Sequence, residues 1–386
     1  MRADGRLFEK LELLKRTADD AYRIGRVDVA LQGYRKALDV ARELADEIEI
    51  EDAVSWVGTC LFNLGRAEEC LSAFGEILEK LDGRHGSNGT LHRARCSALK
   101  YWLWLSINWK GKLPYLTDMI ARGRQFLGDL GLPGIEDSLL LFESWIARFR
   151  GKSAEAIALA DRAVGKHRED RSGSSFVGTE YLRAAARFRL DAGIADQAVE
   201  GLAREMFVLD RDSVPFIGEV RGHQALSRLF ALRGNPDLAL DHALQADAAA
   251  RRTTHKASQS ESLLILARAW LGKRDQDRAL ACVREALLRA NEYHSELIRH
   301  DARLCELEVR AARLAAGADR PAEIVDPARA SASAARTVDV RLESAFCSQQ
   351  VRRVWEERVA PELRRQGESA GLAGFPEVAG SSPPTL

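Results

Sequence analysis

The chain has 386 residues, and its 57 basic and 57 acidic side chains give a formal net charge of zero. This balance argues against nucleic acid or an anionic membrane as the dominant partner, because both require a net basic surface. Apolar residues make up 46% of the chain and charged residues 30%, with only 10 prolines. Such a composition is typical of a soluble protein built from amphipathic helices.

Nothing in the sequence indicates secretion or membrane insertion. No stretch approaches the roughly 20 consecutive apolar residues that a membrane-spanning helix needs. The segment 1–10 carries charges where a signal peptide has its apolar core. The six cysteines show no CxxC spacing and lie within helical apolar patterns, as reduced core thiols do. We therefore expect a cytoplasmic protein that contacts neither a membrane nor, directly, nucleic acid.

A helix–turn–helix pattern recurs along most of the chain. In its clearest copy, Gly234 marks a turn, and Ala239, Ala243 and Ala246 follow on one helical face. Small residues on that face allow a neighbouring helix to pack closely. The first of them, the anchor, recurs at intervals of 40, 46, 40, 42, 41 and 40 residues, at Ala30, Cys70, Leu116, Ala156, Ala198, Ala239 and Ala279. This regularity indicates a repeat protein.

Two copies depart from the regular pattern. The long interval before Leu116 contains the glycine-rich stretch 82–90, which predicts a loop insertion. In the seventh copy, the turn glycine is predicted at Gly272, two residues early. Each copy still supplies two helices that cannot bury their apolar faces alone, so neighbouring copies are expected to stack.

These residues resemble the tetratricopeptide repeat, with glycine at the turn, alanine five residues later and small or aromatic residues at the next core positions. The resemblance covers about residues 7–292. It implies an all-α fold, a right-handed superhelical solenoid of about seven to eight helix hairpins. The repeat length of about 40 residues exceeds the family's usual length of about 34. Extended repeats of this kind look like those of bacterial regulatory proteins, including peptide-sensing quorum receptors and sensor domains of ATP-dependent transcription activators.

The C-terminal part of the chain, from residue 317, is predicted to leave the repeat pattern. Residues 1–316 form the predicted solenoid, which ends on the first helix of an eighth copy. Residues 317–335, rich in Ala, Asp and Pro, are predicted to be a linker. The tail 366–386 is rich in Gly, Ser and Pro and lacks the apolar content to fold, so we expect it to be disordered.

Between linker and tail, residues 336–365 are predicted to form a helix. Its apolar face includes Phe346, Val351 and Trp355. Because a solenoid must close its last core surface, we expect this helix to cap the solenoid. The alternative is that the same face joins two copies of the chain as a homodimer.

The chain lacks the motifs of common catalytic and nucleotide-binding sites. The stretch Gly151-Lys152-Ser153 ends like a phosphate-binding loop, but Ile146 stands where that loop needs its first glycine. Neither HExxH nor GxSxG is present. The nearest histidine neighbours are six residues apart and lie on different helix faces, which argues against a metal site. We expect no enzyme activity, no catalytic residue, no metal and no cofactor.

The resemblance also implies which residues line the concave groove. In tetratricopeptide arrays the first helix of each hairpin faces the groove, through positions about 10 to 15 before the anchor alanine. In this chain those positions supply the expected partner-binding residues: Arg183, Arg187, Arg228, Arg268, Tyr101 and Trp145. Arginine binds carboxylates and phosphates bidentately, which favours an acidic or phosphorylated partner segment. The alternative is that the arginines pair with acids of adjacent copies, such as Glu180, Asp191, Glu219 or Glu261.

The segment 101–109 holds three of the seven tryptophans, which cannot all face the core from one helix. Packing against a neighbouring copy and anchoring of a partner both explain this enrichment. We interpret the chain as a non-enzymatic scaffold or adaptor that binds a peptide or protein segment in its concave groove. The alternative is a ligand- or peptide-sensing regulator. It would act through a partner chain, because the first repeat begins near residue 7 and leaves no room for an output domain.

Overall fold

The computed structural model describes residues 2–79, 89–108, 113–130, 136–170, 175–209, 217–253, 255–293, 295–342 and 346–365. Within these ranges the chain is a series of helices that pack as consecutive pairs. The first eight are α1 (Arg2–Arg23), α2 (Val27–Leu44), α3 (Glu47–Asn63), α4 (Ala67–Leu78), α5 (Gly89–Asn108), α6 (Leu113–Leu130), α7 (Glu136–Phe149) and α8 (Ser153–Asp170). The next eight are α9 (Ser175–Asp191), α10 (Gln197–Leu209), α11 (Ile217–Leu232), α12 (Pro236–Arg251), α13 (Lys256–Gly272), α14 (Gln276–Tyr293), α15 (Glu296–Ala315) and α16 (Ala322–Leu342). No helix in the described ranges is both long and apolar enough to cross a membrane.

A left-handed residue turns the chain between the two helices of most hairpins. The φ angle there is positive at six glycines: Gly25 (+78°), Gly65 (+75°), Gly151 (+73°), Gly193 (+76°), Gly234 (+71°) and Gly317 (+71°). Glycine has no Cβ, so it takes this conformation without strain. At Gly65 two backbone bonds close the turn, from the Gly65 N–H to the Phe62 carbonyl (3.0 Å) and from the Arg66 N–H to the Leu61 carbonyl (2.9 Å). The repeat pattern is thus a helix-ending motif.

Two hairpins place this turn differently from the sequence prediction. In the seventh, the left-handed residue is Arg274, at φ +61°, and α13 continues through Gly272. In the fifth, the turn is longer, so Ala198 is exposed and Val199 is fully buried in its place. The Asp196 side chain caps the start of α10 by accepting from the Val199 N–H at 3.2 Å. The turn of the third hairpin lies outside the described residues.

The structure corrects the predicted linker over 317–335. Gly317 is another left-handed turn residue, and α16 follows it and packs along α15. The buried face of α16 consists of Ile324, Ala328, Ala332, Ala335 and Val338. Proline inside a helix removes an N–H donor, so Pro327 favours a break, but α16 continues through it. This stretch is the second helix of an eighth hairpin, so the solenoid continues to Leu342.

Two short helices and a π-helical turn close the C-terminal end. They are α17 (Phe346–Val354), the π-turn Trp355–Val359 and α18 (Ala360–Arg365), and they pack on α15, with α17 also on α16. Val351 is fully buried and Trp355 is 6% exposed. The chain itself thus covers Val351 and Trp355, whereas Phe346 is partly buried. The tail 366–386 lies outside the described residues.

The late hairpins contact the early ones across the axis of the superhelix. The turn at Gly65 lies against the end of α14, where a Cβ added to Gly65 would meet the Tyr293 ring at 2.6 Å. The rings of Phe62 and His255 are 6.5 Å apart, and α5 packs on α15. The inner helices therefore face one another, and side chains fill much of the concave side.

Candidate functional site

The four predicted arginines lie on the inner helices of three consecutive hairpins: Arg183 and Arg187 on α9, Arg228 on α11 and Arg268 on α13. All four line one cleft of about 80 Å³. Its apolar wall includes Leu190, Leu264 and Ile265. The repeat register therefore brings these arginines together, because the same position recurs on adjacent parallel helices.

Each of these arginines is paired with a carboxylate. The pairs are Arg183 with Glu180 (2.8 Å) and Glu261 (2.5 Å), Arg187 with Asp301 (3.0 Å), Arg228 with Asp191 (2.6 Å) and Arg268 with Glu308 (3.0 Å). Three of the acids that the sequence offered as alternative partners take part, whereas Glu219 pairs with Arg252. Because a guanidinium has five N–H donors, pairing within the chain leaves donors for a ligand.

Arg221 completes the cluster and was missed by the sequence analysis. It is 3% exposed on α11, and its Nε donates to Glu180 at 3.2 Å. Its Nη1 donates to Glu261 and, at 3.1 Å, to Gln224. Arg221 lies seven residues before Arg228, two turns along the same helix face, so helical spacing alone would have found it.

Opposite charges fix the protonation of the acids in this cluster. Burial alone would raise the pKa of Asp191, but the charges of Arg148, Arg228 and Arg187 hold it well below its usual range. Burial would likewise raise the pKa of Glu261, and the charges of Arg183 and Arg221 lower it. These acids remain ionised at any physiological pH, so the cluster is permanently charged.

Arg187 joins hairpins that are distant in sequence. Its Nη2 donates to Asp301 of α15, 114 residues away, and its guanidinium carbon lies 5.2 Å from the centre of the Trp145 ring. Burial, and then the charges of Arg148 and Arg183, lower its pKa, while Asp301 and Asp191 raise it. The two arginines and two acids around Arg187 thus oppose one another, and burial is the largest cause of its lowered pKa.

The two predicted aromatic residues have different surroundings. Trp145 is 2% exposed, and its ring packs edge-on against Trp104 (5.6 Å) and Phe188 (5.1 Å), beside the arginines. Tyr101 stacks on Phe74 at 5.7 Å, in the core of the second and third hairpins, and is not among the residues lining the arginine cleft. Trp145 does not line this cleft either, but its ring lies 5.2 Å from the guanidinium carbon of Arg187.

The tryptophan-rich segment packs mainly inward. Trp102 is 8% exposed, and Trp104 is partly buried between Phe142 and Trp145. Packing therefore accounts for both residues. Trp109 lies outside the described residues.

One histidine pair was missed, because its members lie on different helices of a hairpin. The Nδ1 atoms of His223 on α11 and His242 on α12 are 3.0 Å apart. Among the described residues, no group of three His, Cys, Asp or Glu side chains could hold a metal ion. Of the two histidines considered from the sequence, His300 is buried beside Gln350 and His294 lies outside the described residues.

No protein-family model matches the chain, and no curated protein matches its sequence. Solved structures do resemble it. A Rap protein complexed with competence and sporulation factor is 12% identical, with a TM-score of 0.56 over 86% of this chain and 96% of that one. A human IFIT1 dimer with PPP-AAAA is 15% identical, with a TM-score of 0.51 over 94% of this chain and 78% of that one.

A tetratricopeptide repeat protein from Parabacteroides merdae is 11% identical, with a TM-score of 0.34 over 90% of this chain and 98% of that one. At such identities, and with the two higher TM-scores, the likeness concerns the fold. Together with the stacked hairpins, it confirms the all-α, tetratricopeptide-like solenoid that the sequence predicts.

Proposed function

We propose that the chain is a non-catalytic interaction module that binds an acidic segment of a peptide or protein on its inner face. The observation that carries this proposal is the convergence of four arginines from α9, α11 and α13 on one cleft. Guanidinium groups recognise carboxylates through paired hydrogen bonds. A row of them on adjacent helices suits an extended chain with acidic side chains.

Two of the arginines are accessible to a partner. The side chains of Arg228 and Arg268 are 28% and 37% exposed, and each has one close carboxylate, Asp191 and Glu308 respectively. Both retain unused N–H donors at the mouth of the cleft. A cleft of about 80 Å³ has room for a side chain but not for a large cofactor. The expected ligand is therefore a segment lying along the rim, with an acidic side chain inserted.

The structural likeness supports a ligand on such a fold. The similar Rap protein is complexed with competence and sporulation factor. A second candidate function, a ligand-sensing regulator acting through a partner chain, is favoured by the contacts that close the superhelix, because binding at Arg187 touches the pair that joins α9 to α15.

Peptide pools test the proposal. Fluorescein-labelled heptapeptides, randomised but rich in Asp and Glu, are compared by fluorescence anisotropy with pools in which Asn and Gln replace the acids. The acidic pool should bind at least about tenfold more tightly, because one charge-assisted bidentate contact contributes that much. The double variant Arg228→Gln, Arg268→Gln should lose this preference.

The matched control is Arg204→Gln, Arg251→Gln. It removes two arginines from exposed i,i+4 pairs on α10 and α12 and should bind as the wild type does. Equal binding of the acidic and amide pools would overturn the proposal, as would an unchanged preference in the inner-face variant. Preferential binding of 5′-triphosphorylated oligoadenylate would point to nucleic acid instead.

A further inference from the structure

A second, smaller space lies behind the arginine cleft. It measures about 10 Å³, and its apolar wall consists of Trp104, Ile107, Leu297 and Ile298. Arg183, Arg187, Glu261 and Asp301 line both this space and the cleft. The Arg187–Asp301 ion pair therefore stands between the two. In this state the inner space holds no more than about one water molecule.

Two donors at this boundary lack acceptors. The Nε of Arg187 and the Nε1 of Trp145 are buried, and neither has a hydrogen-bond partner. Trp145 lines the inner space, and its ring lies 5.2 Å from the Arg187 guanidinium carbon. Buried polar groups are nearly always hydrogen-bonded, so two unpaired donors on neighbouring side chains indicate a position for an acceptor atom.

The surrounding charges favour a negatively charged acceptor. Among the described residues, an ion-pair network around the cleft joins five arginines to four acids, and Arg268 and Glu308 form a separate pair beside it. The network consists of Arg148, Arg183, Arg187, Arg221 and Arg228 with Glu180, Asp191, Glu261 and Asp301. One positive charge in this network is left without a counter-charge. In a buried site such a surplus attracts an anion strongly.

We infer that Trp145 and the Nε and Nη2 groups of Arg187 form the binding site for one carboxylate of the ligand, and that Asp301 occupies the Nη2 part of this site in the free protein. The inference rests on the proposed function, because it specifies the ligand of the same cleft. When the ligand carboxylate displaces Asp301, the two spaces join, and an apolar side chain of the ligand enters between Trp104 and Leu297. The ligand therefore has an acidic group next to an apolar or aromatic one.

Displacement of Asp301 also releases α15 from α9. These helices belong to the eighth and fifth hairpins, and among the described residues Arg187–Asp301 is the ion pair that joins them. Binding at this site is thus expected to loosen the closed superhelix, because a ligand shifts a structure towards the state that it binds better. This would couple the site to the shape of the whole solenoid.

The carboxylate site can be tested without a peptide. In Asp301→Ala, acetate supplies the missing carboxylate, and thermal unfolding is followed by circular dichroism at constant ionic strength. Acetate should raise the melting temperature of this variant by about 3 °C, saturably, because it binds only the folded state. Acetamide, which is neutral and of similar shape, should not. Adding Trp145→Phe, which removes the Nε1–H donor, should weaken the response to acetate.

The control is Glu308→Ala, which removes the acid paired with the more exposed Arg268. Its response to acetate should equal the small response of the wild type, because water solvates that guanidinium. The inference would be overturned if acetate raised the melting temperatures of wild type, Asp301→Ala and Glu308→Ala equally, or if acetamide acted as acetate does. The two donors would then be a site for bound water only. If Asp301→Ala does not fold, Asp301→Asn keeps the side-chain shape and the experiment below decides.

The acidic peptide pool tests the connection to the ligand. It should bind Asp301→Asn about tenfold more tightly than wild type, since the internal competitor is gone, and small-angle scattering should show a larger radius of gyration for this variant. Suppose that the pool binds wild type, and that Asp301→Asn has the same affinity for the pool and the same radius of gyration. This result would refute the inference and leave the proposed function standing. If acetate stabilises Asp301→Ala but neither peptide pool binds, the carboxylate site stands and the peptide-binding function is refuted.

Discussion

The two halves of the solenoid use the same hairpin but different inner residues. In α1–α8 aromatic rings pack between the helices, Trp56 on Tyr34 at 5.2 Å and Trp104 edge-on against Trp145 at 5.6 Å. The first half has one deeply buried ion pair among its inner helices, Arg95 with Glu51. In α9–α16 the inner side carries the arginine cluster and its acids. The turns and the small core residues are alike in both halves. The fold thus depends on the turns and the core, and the inner positions are available for function.

The two inner sides contribute differently to stability. Burying aromatic rings removes apolar area from water and is directly stabilising. Burying an ion pair requires desolvation, and apolar residues of similar size often stabilise as well or better. Stability therefore does not explain why the second half has a charged inner side, whereas a binding role does. Substitutions in the two halves should therefore lower the free energy of unfolding by different amounts.

The largest effect is expected from Glu261→Gln in the charged half. Glu261 accepts from both Arg183 and Arg221, so its loss leaves buried guanidinium charge uncompensated. We expect the free energy of unfolding, measured by urea denaturation, to fall by about 3 to 5 kcal/mol. The control is Glu285→Gln, the same change in the same half at a side chain that is 38% exposed, with an expected loss below about 0.5 kcal/mol. Similar losses in both variants would mean that the cluster is solvated.

The next largest loss of stability is expected where the two halves of the solenoid touch. Gly65 and Gly234 have nearly the same left-handed φ, but a Cβ at Gly65 meets the Tyr293 ring, whereas a Cβ at Gly234 meets nothing within 4 Å. Gly234→Ala should therefore cost only backbone strain, about 1 kcal/mol. Gly65→Ala should cost about 3 kcal/mol, since overpacking adds to the same strain. Equal urea midpoints for the two variants would show that the superhelix is not closed at this point.

The contrast between these glycines shows what the sequence reveals. The turn at either position is local, so spacing and residue type predict both the hairpin and its end. The contact of Gly65 with Tyr293 depends on small rotations added over six hairpins, which no local pattern encodes. The second helix of the eighth hairpin was missed for a related reason. Locally, Pro327 predicts a break that hides the turn signal of Gly317, whereas the packing of α16 on α15 stabilises the helix.

The candidate site likewise has features that the sequence predicts and others that depend on packing across the superhelix. The arginines follow from the register, because equivalent positions on successive inner helices must face the same side. Their pairing with Glu180 and Asp191 was an open alternative, since those acids are on the same or the neighbouring inner helix. Asp301 was not considered, because it reaches Arg187 across the superhelix. The unpaired donors of Arg187 and Trp145 follow from packing alone.

The smallest effect concerns His255, which lies where the halves meet, between Phe62 and Tyr293. Burial, and then the charge of Arg221, lower its pKa from 6.5 to about 4. Its Nδ1 is within 3.3 Å of the Ser258 N–H and caps α13, which requires an unprotonated ring. The unfolded chain takes up a proton near pH 6.5, whereas the folded chain does so only near pH 4. The contribution to stability is therefore complete above this window and is lost as the pH falls through it.

We expect the free energy of unfolding to fall by about 2 kcal/mol between pH 7 and pH 5, a range above the ordinary titration of carboxylates. In His255→Asn, which keeps a capping side chain but does not titrate, most of this slope should disappear. The remainder reports His223, His242 and His300, whose pKa values are also lowered by burial. An unchanged slope in His255→Asn would mean that His255 is solvated, and hence that the aromatic and charged halves separate at this contact in solution.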